Sequence, residues 1–384
     1  MPWRNITMCD QKKQFISDVI KNDKSRLSFA ELCEIYNISR KTGYKWLNRF
    51  MQKGDLGLVD LPCRPISTPT KTTYETEQCI IFIRKQYPKW GPKKIHVEIQ
   101  QHYPNVKLPS EATIGNILQN HNLSKSRKYR RHVAKTSPLS DCLAPNDVWM
   151  YDFKGWFNTG DGSKCEPLTI TDGFSRYLIA CKHMPKKTGK DVWNVLERVL
   201  LEFGLPNRVR SDNGPPFASL GVGRLSNLAI KLIKIGIIPE WIEPGCPEEN
   251  GRHERFHLTL KQETAMPPAK TLALQQEKFN QFKDYYNTKR YHEAIGQKVP
   301  NSVYKPSTRH WDGKFRSPEY TSEYEVRKIR SSGEFSWKGT TYFVSEMLGG
   351  EYVGLKEIDV GLMGVHYGPI LLGKLDFTKG FRRE

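Results

Sequence analysis

Three carboxylates stand in contexts that could hold a divalent metal. Asp152 lies in WMYDFKG (149–155), among apolar neighbours that read as a strand. A lone ionised carboxylate is costly there, so it needs a partner. Asp212 lies in RSDNG (210–214), where a short strand ends in a tight Asn-Gly turn that points the carboxylate out of the sheet edge. Glu254 follows Asn250-Gly251 in the first turn of an expected helix, with Lys261 two turns further along the same face. Three such acids converging at strand ends make an oxygen-rich pocket of the kind Mg²⁺ takes. Two ions ~4 Å apart can stabilise the attacking and leaving oxygens of an in-line phosphoryl displacement. Singly, each acid has a plainer reading: a turn for Asp212, a satisfied strand end for Asp152. Asp172, a fourth acid at a strand end, reads as structural.

The same helix offers a second chemistry. His253-Glu254-Arg255-Phe256-His257 fits HExxH, whose histidines share a helix face and can bind Zn²⁺ with the glutamate as general base. A third ligand could come from Glu263 or Glu277. That zinc metallopeptidase reading leaves Asp152 and Asp212 without a role. It also puts the motif in a helix's first turn, whereas zinc ligands of this kind need an established helix. The histidines then read as ordinary helix residues near a nucleic acid.

The elements around these residues follow from periodicity. Asp147–Phe157, Leu168–Phe174 and Tyr177–His183 read as successive strands with hairpin turns. Residues 188–203 form an amphipathic helix, Asn207–Arg210 a short strand, Leu225–Ile235 a helix and Ile237–Ile242 a last strand. Helices follow over Asn250–Glu263 and Leu272–Arg290. This pattern predicts a mixed sheet with helices on both faces. Beyond Pro306 the pattern turns all-β, with Glu334–Val344 hinged at Lys338-Gly339, then Tyr352–Ile358, Met363–His366 and Ile370–Leu375. A small barrel or sandwich fits it.

Upstream, Ser28 and Glu31 form a capping box, and Ser39 caps a second helix. Tyr44, Leu47 and Phe50 are its expected buried positions. Two helices joined by so short a turn read as a helix-turn-helix. Its second helix presents Ser39, Arg40, Lys41, Thr42, Tyr44, Lys45 and Arg49 as candidate DNA contacts; a small bundle with a solvated basic face is the alternative. WGPKK (90–94) and Ser110 open two more helices, a possible second helix-turn-helix carrying Lys93 and Lys94. KSRKYRRHVAK (125–135) is a charged run that could track a DNA backbone.

Composition agrees. The 384 residues carry a formal charge of +19. Residues 1–135 hold 25 Lys+Arg against 11 Asp+Glu, a net of +14 in the first third of the chain. Such a one-sided field favours a polyanion. The eight cysteines are scattered without a CxxC pair, so they read as reduced thiols rather than a zinc site. No run approaches the ~18–20 apolar residues of a membrane span. Met1–Asp10 lacks signal-peptide order, so a soluble intracellular protein is expected.

WMYDFKG, SDNGPPF and NGRHERFHLTLK together resemble bacterial insertion-sequence transposases with a retroviral-integrase-like core. SRKTGYKWLNRF and WGPKKI are similar to that family's helix-turn-helix domains, YHEAIGQKVPNSVY to its post-core segment, and FSWKGTTYFVSE, YVGLKEID and GPILLGKLD to its C-terminal β domain. The resemblance covers nearly the whole chain. It implies a multidomain α+β protein: helix-turn-helix domains at 1–60 and 74–135 around a basic linker at 61–73, an RNase H-like mixed α/β catalytic core at 140–305, and a small β-barrel at 320–384. It implies a DDE triad of Asp152, Asp212 and Glu254 binding two Mg²⁺ or Mn²⁺ ions, and cleavage and transfer of DNA strands. The protein would act as at least a dimer on DNA, in the bacterial cytoplasm at the nucleoid. Relatives often place 35 residues between the second Asp and the Glu, which would land on Glu248; 41 separate Asp212 from Glu254. Glu254 has the matching NGxxE context, and an insertion around Ser219–Ser226 accounts for the excess. Lys261, with Lys154 and Arg252 as weaker candidates, would face DNA phosphate. The remaining alternative is a helix-turn-helix regulator with an inert core; acids clustered beside phosphate repel it unless metal neutralises them, which favours catalysis.

Overall fold

The computed structural model describes residues 8–21, 27–61, 71–124, 139–243 and 251–383. The chain divides into two compact units, 1–74 and 75–384. Residues 62–70 of the expected linker at 61–73, the charged run at 125–135, Glu248 and Cys246 lie outside the described residues.

The first unit contains α1 (Met8–Lys21), α2 (Phe29–Ile35) and α3 (Arg40–Lys53). The Ser28 hydroxyl accepts from the Glu31 amide, and Glu31 accepts from the Ser28 amide at 2.6 Å, a complete capping box. Ser39 caps α3 by accepting from the Thr42 amide. The core is Phe15, Ile16, Leu32, Cys33, Trp46 and Leu58. One expectation needs correction. Tyr44 is not buried: it is 51 % exposed and stacks on Phe29 at 4.2 Å. The inward face of α3 is Gly43, Trp46, Leu47 and Phe50, since helix geometry groups i, i+3, i+4 and i+7. Gly43 is there because the helices approach closely: a Cβ would come 2.7 Å from Cys33 Sγ.

The second unit opens with α4 (Tyr74–Gln86), α5 (Pro92–His102) and α6 (Glu111–Asn120). Pro92 takes the first helical position of α5, and Ser110 caps α6. Ile80, Ile83, Trp90, Ile95, Ile99 and Ile114 form their core. Tyr291, far along the chain, belongs to the same cluster.

The central sheet then forms from β1 (Val148–Phe153), β4 (Pro167–Asp172), β5 (Leu178–His183), β6 (Arg208–Ser211) and β7 (Ile238–Trp241), with a two-stranded ribbon of β2 (Phe157–Asn158) and β3 (Lys164–Cys165) beside it. Its order is β5-β4-β1-β6-β7. The first three strands are an antiparallel meander, and β6 and β7 join β1 in parallel. Strand one stops at Phe153, short of the expected Phe157, because the chain turns at Gly155 with φ +82. Alternation sorts the two faces. Trp149, Tyr151, Leu168 and Ile170 meet α7 (Gly189–Phe203) and α8 (Asn227–Lys234) in the main core. The opposite face, carrying Asp152 and Thr169, receives α9 (Gly251–Thr264), and α10 (Leu272–Thr288) packs with it on Cys165, Leu178 and Cys181.

The C-terminal part has β8 (Glu325–Lys328), β9 (Glu334–Trp337), β10 (Thr340–Phe343), β11 (Tyr352–Asp359), β12 (Leu362–Tyr367), β13 (Ile370–Asp376) and β14 (Gly380–Arg383). The β9–β10 hairpin turns at Lys338 and Gly339, both with positive φ, as the Lys-Gly pair predicted. The expected barrel is not closed. The sheet runs β14-β13-β12-β11-β8, and among the described residues no ladder joins β14 to β8. Its apolar face, with Val353, Leu355, Val365, Leu372 and Leu375, is instead covered by Phe335 and Trp337 of the hairpin and by Ala229 and Ile233 of α8. Among the described residues no helix is long and apolar enough to cross a membrane.

Candidate active site

Strand pairing sets the first two acids at the ends of neighbouring strands. β1 and β6 run parallel with Trp149 beside Val209 and Met150 beside Arg210. The recorded pairing ends there, and Asp152 and Asp212 each lie two residues further along, at or just past the carboxyl ends of these neighbouring strands. Asp212 is held in its turn by the Gly214 amide, which donates to Oδ1 at 3.3 Å. The Asn213 side-chain Nδ2 donates to Ile242 O at 2.7 Å and ties that turn to the chain just after β7.

The helix carrying Glu254 docks on this edge through its histidines. His253 and His257 are 1 % and 9 % exposed. Their Nε2 atoms lie 2.7 and 2.8 Å from the Thr169 hydroxyl, and Thr169 is the cross-strand partner of Asp152. Thr169 Oγ1 also lies 3.1 Å from Asp152 O. A hydroxyl has one proton and two lone pairs. If both imidazoles donate to it and it donates to the Asp152 carbonyl, every group is satisfied. Burial pushes His253 down to about 3. Burial, then His253 and Lys154, pushes His257 down to about 2. Both are therefore neutral. The histidines share a face, as HExxH requires, but that face is turned into the protein, while Glu254 is exposed. The structure thus replaces "ordinary helix residues near a nucleic acid" with a buried docking pair. Periodicity alone could have found it, since 253, 256, 257 and 260 form one stripe.

Asp152, His253 and His257 place ligand atoms within 4.8 Å of one another. Asp152, Asp212 and Glu254 are not drawn to that spacing as a set. Desolvation raises Asp212, against the Gly214 amide and Lys187. A part-buried carboxylate with a raised pKa is short of positive charge, which suits a cation ligand. The oxygen donors of the three acids fit a hard divalent ion. The imidazole nitrogens already meet Thr169.

Cations surround the edge. Burial, then Lys261, lowers Lys154, while Asp152 raises it, so these three groups face one another. Lys187 pairs with Glu166 at 2.5 Å as well as facing Asp212. The side chain of Arg252 lies outside the described residues. Asp172 is buried at the end of β4 and accepts from the Asn146 amide at 2.8 Å and from Ser175 N and Oγ at 2.8 and 2.6 Å.

In α3, the Ser39 hydroxyl and Thr42 amide serve the cap. Lys45 and Arg49 lie over the Trp46 ring at 5.0 and 4.9 Å. Arg40, Lys41, Tyr44 and Lys45 are exposed. Lys93 is exposed and paired with Glu293, whereas Lys94 is half-buried.

Residues 143–247 and 235–300 each match the family described as integrase core domain. Residues 11–66 match a helix-turn-helix domain and 42–118 a homeodomain-like domain. The chain is 25% identical to an uncharacterized 39.2 kDa protein of insertion element IS476 from Xanthomonas euvesicatoria, over 62% of this chain and 66% of that protein, just under two thirds of its length. It is 28% identical to the transposase for insertion sequence element IS904 from Lactococcus lactis, over 46% of this chain and 72% of the relative. A structure of the HTLV-2 integrase catalytic core domain in complex with magnesium is 16% identical, covering 43% of this chain and 99% of that one at a TM-score of 0.32. The domain matches define an integrase-core protein behind helix-turn-helix domains. Within that class, the chain is similar to proteins of bacterial insertion elements, including a transposase.

Proposed function

We propose that this chain binds the terminal inverted repeats of its element and cuts and transfers DNA strands at Asp152, Asp212 and Glu254. The observation that supports the reading is the parallel β1–β6 pairing, whose carboxyl ends lead to Asp152 and Asp212, together with the docking on that sheet of the helix that bears Glu254. The strand order supports an RNase H-like core at 140–305, with 1–60 and 74–135 as end-binding domains. The three carboxylates would hold two Mg²⁺ or Mn²⁺ ions, which when bound supply Lewis acidity and an activated water at phosphorus. Lys154 and Lys261 face the same edge and hold the scissile strand by its phosphates. His253, His257 and Thr169 fix the height of α9 over the sheet, and so the position of Glu254. Joining two ends requires at least a dimer on DNA, working at the nucleoid.

The test is metal-dependent nicking of duplexes that carry the element's ends. Asp152→Asn, Asp212→Asn and Glu254→Gln lose nicking and keep binding, while Glu248→Gln keeps both. Full nicking by Glu254→Gln with loss in Glu248→Gln would refute the assignment.

A further inference from the structure

We propose that a basic pocket between α5, α9 and the chain just after α10 is a seat for one phosphate group. The proposal rests on the DNA-transferring reading above only for its preferred occupant, a backbone phosphate. It would be formed by Lys94 in the first turn of α5, which lies near Arg255 on α9 and near Arg290 and His292 beyond α10.

Arg290 is 6 % exposed, yet its buried Nη1 has no hydrogen-bond partner. It lies 3.6 Å from Glu263 Oε1, an ion-pair distance too long for a hydrogen bond. His292 Nε2 is likewise buried and unbonded. Buried donors without acceptors are rare, and each is expensive to leave unmade. Here two such polar atoms, Arg290 Nη1 and His292 Nε2, stand two residues apart just beyond α10.

The cations do not gather there by attraction. Apolar packing brings them together: Trp90, just before α5, stacks on Tyr87 at 4.0 Å, donates to the Tyr285 hydroxyl at 2.7 Å and packs edge-on against Tyr291 at 5.4 Å. This fixes the start of α5 against the end of α10. The strain shows on Lys94, whose amine is pushed down to about 7 by burial, then by Arg290 and Arg255, with only Glu263 opposing. One carboxylate therefore faces three cations. A phosphate would bring several acceptor oxygens and the missing negative charge, and a guanidinium edge matches it two-pronged.

Two measurements, both without divalent metal so that catalysis is irrelevant, decide the matter. The first is binding to end-sequence duplex across a salt series, where each phosphate contact contributes about 0.9 to the slope of log K against log salt. Lys94→Met and Arg290→Gln should each lower the slope by about that amount. Lys94→Met keeps the buried stem and guards against misfolding, which circular dichroism checks. The second is the rise in Tm on adding inorganic phosphate against chloride at matched ionic strength, present in the unmodified chain and lost in Lys94→Met. A lowered slope identifies a DNA phosphate; a Tm rise with an unchanged slope identifies free phosphate as the occupant. If the slopes match and phosphate gives no rise, solvent alone fills the pocket and the proposal is wrong. Should the helix-turn-helix reading itself fail, the Tm measurement still decides.

Discussion

His257 Nε2 sits 2.8 Å from the hydroxyl of Thr169, a residue 88 positions earlier whose cross-strand partner is Asp152. This contact and its twin from His253 tie the helix that bears Glu254 to the strand that pairs with the first aspartate. Thr169→Val keeps the shape and removes the hydroxyl. Two buried imidazole nitrogens then lose their partner, so the chain should be less stable by about 1–3 kcal/mol. The midpoint of denaturant unfolding reads this directly. A midpoint unchanged within error means that the histidines find other partners and do not fix α9.

Gly43 lies where α3 crosses α2. A Cβ there meets Cys33 Sγ at 2.7 Å, Phe29 Cζ at 3.0 Å and Phe15 Cζ at 3.2 Å. Gly43→Val should destabilise the first unit by about 1–3 kcal/mol through overpacking. Thermal unfolding of residues 1–74 within the full chain should shift down, and end binding should weaken at temperatures where the second unit stays folded.

Lys94 gives a pH signature. Its folded pKa, about 7, lies below the ordinary 10.5. Between those values the unfolded chain binds more protons than the folded one, so stability rises with pH across that window. Below about pH 7 both states are charged and the folded state carries the full penalty of the buried amine. Lys94→Met should therefore flatten the rise between pH 7 and 10 and stabilise the chain most on the acidic side. Parallel curves for the two proteins would show that Lys94 is solvated.

Trp90→Phe removes the indole donor to Tyr285 while keeping a ring on Tyr87. The loss should be about 0.5–1.5 kcal/mol for the hydrogen bond, plus the smaller ring's lost packing. Hydrogen exchange should show α5 opening earlier than in the unmodified chain.

Much of this was legible in the sequence where local rules decide. Ser28, Ser39 and Ser110 cap their helices as their positions implied, and Lys338-Gly339 turns its hairpin. Alternation in β1 and β4 was readable too. What was missed depends on long-range partners. Strands β8 and β14, with sequences EVRK and GFRR, have no apolar run and exist because a neighbouring strand pairs with them. The inward turn of His253 and His257 follows the stripe 253, 256, 257 and 260, but their partner Thr169 is 84 and 88 residues away, and nothing in residues 251–264 announces it. Tyr44 faces outward because the inward stripe of α3 runs through Gly43, Trp46, Leu47 and Phe50, and the close approach at Gly43 that sets this stripe comes from Cys33 and Phe15 on other helices. The open C-terminal sheet could not be told from a closed one by counting strands.

The parallel pairing of β1 with β6 has a temporal consequence. The strand ends that carry Asp152 and Asp212 come side by side only after the meander, α7 and β6 have all been made and assembled, and α9, which bears Glu254, docks only on that finished sheet. Contacts of such long sequence separation form late. A chain still emerging from the ribosome thus exposes its basic helices first and completes its carboxylates last. In a reading where the carboxylates cut DNA, that order lets a nascent protein grip nucleic acid before it can damage it.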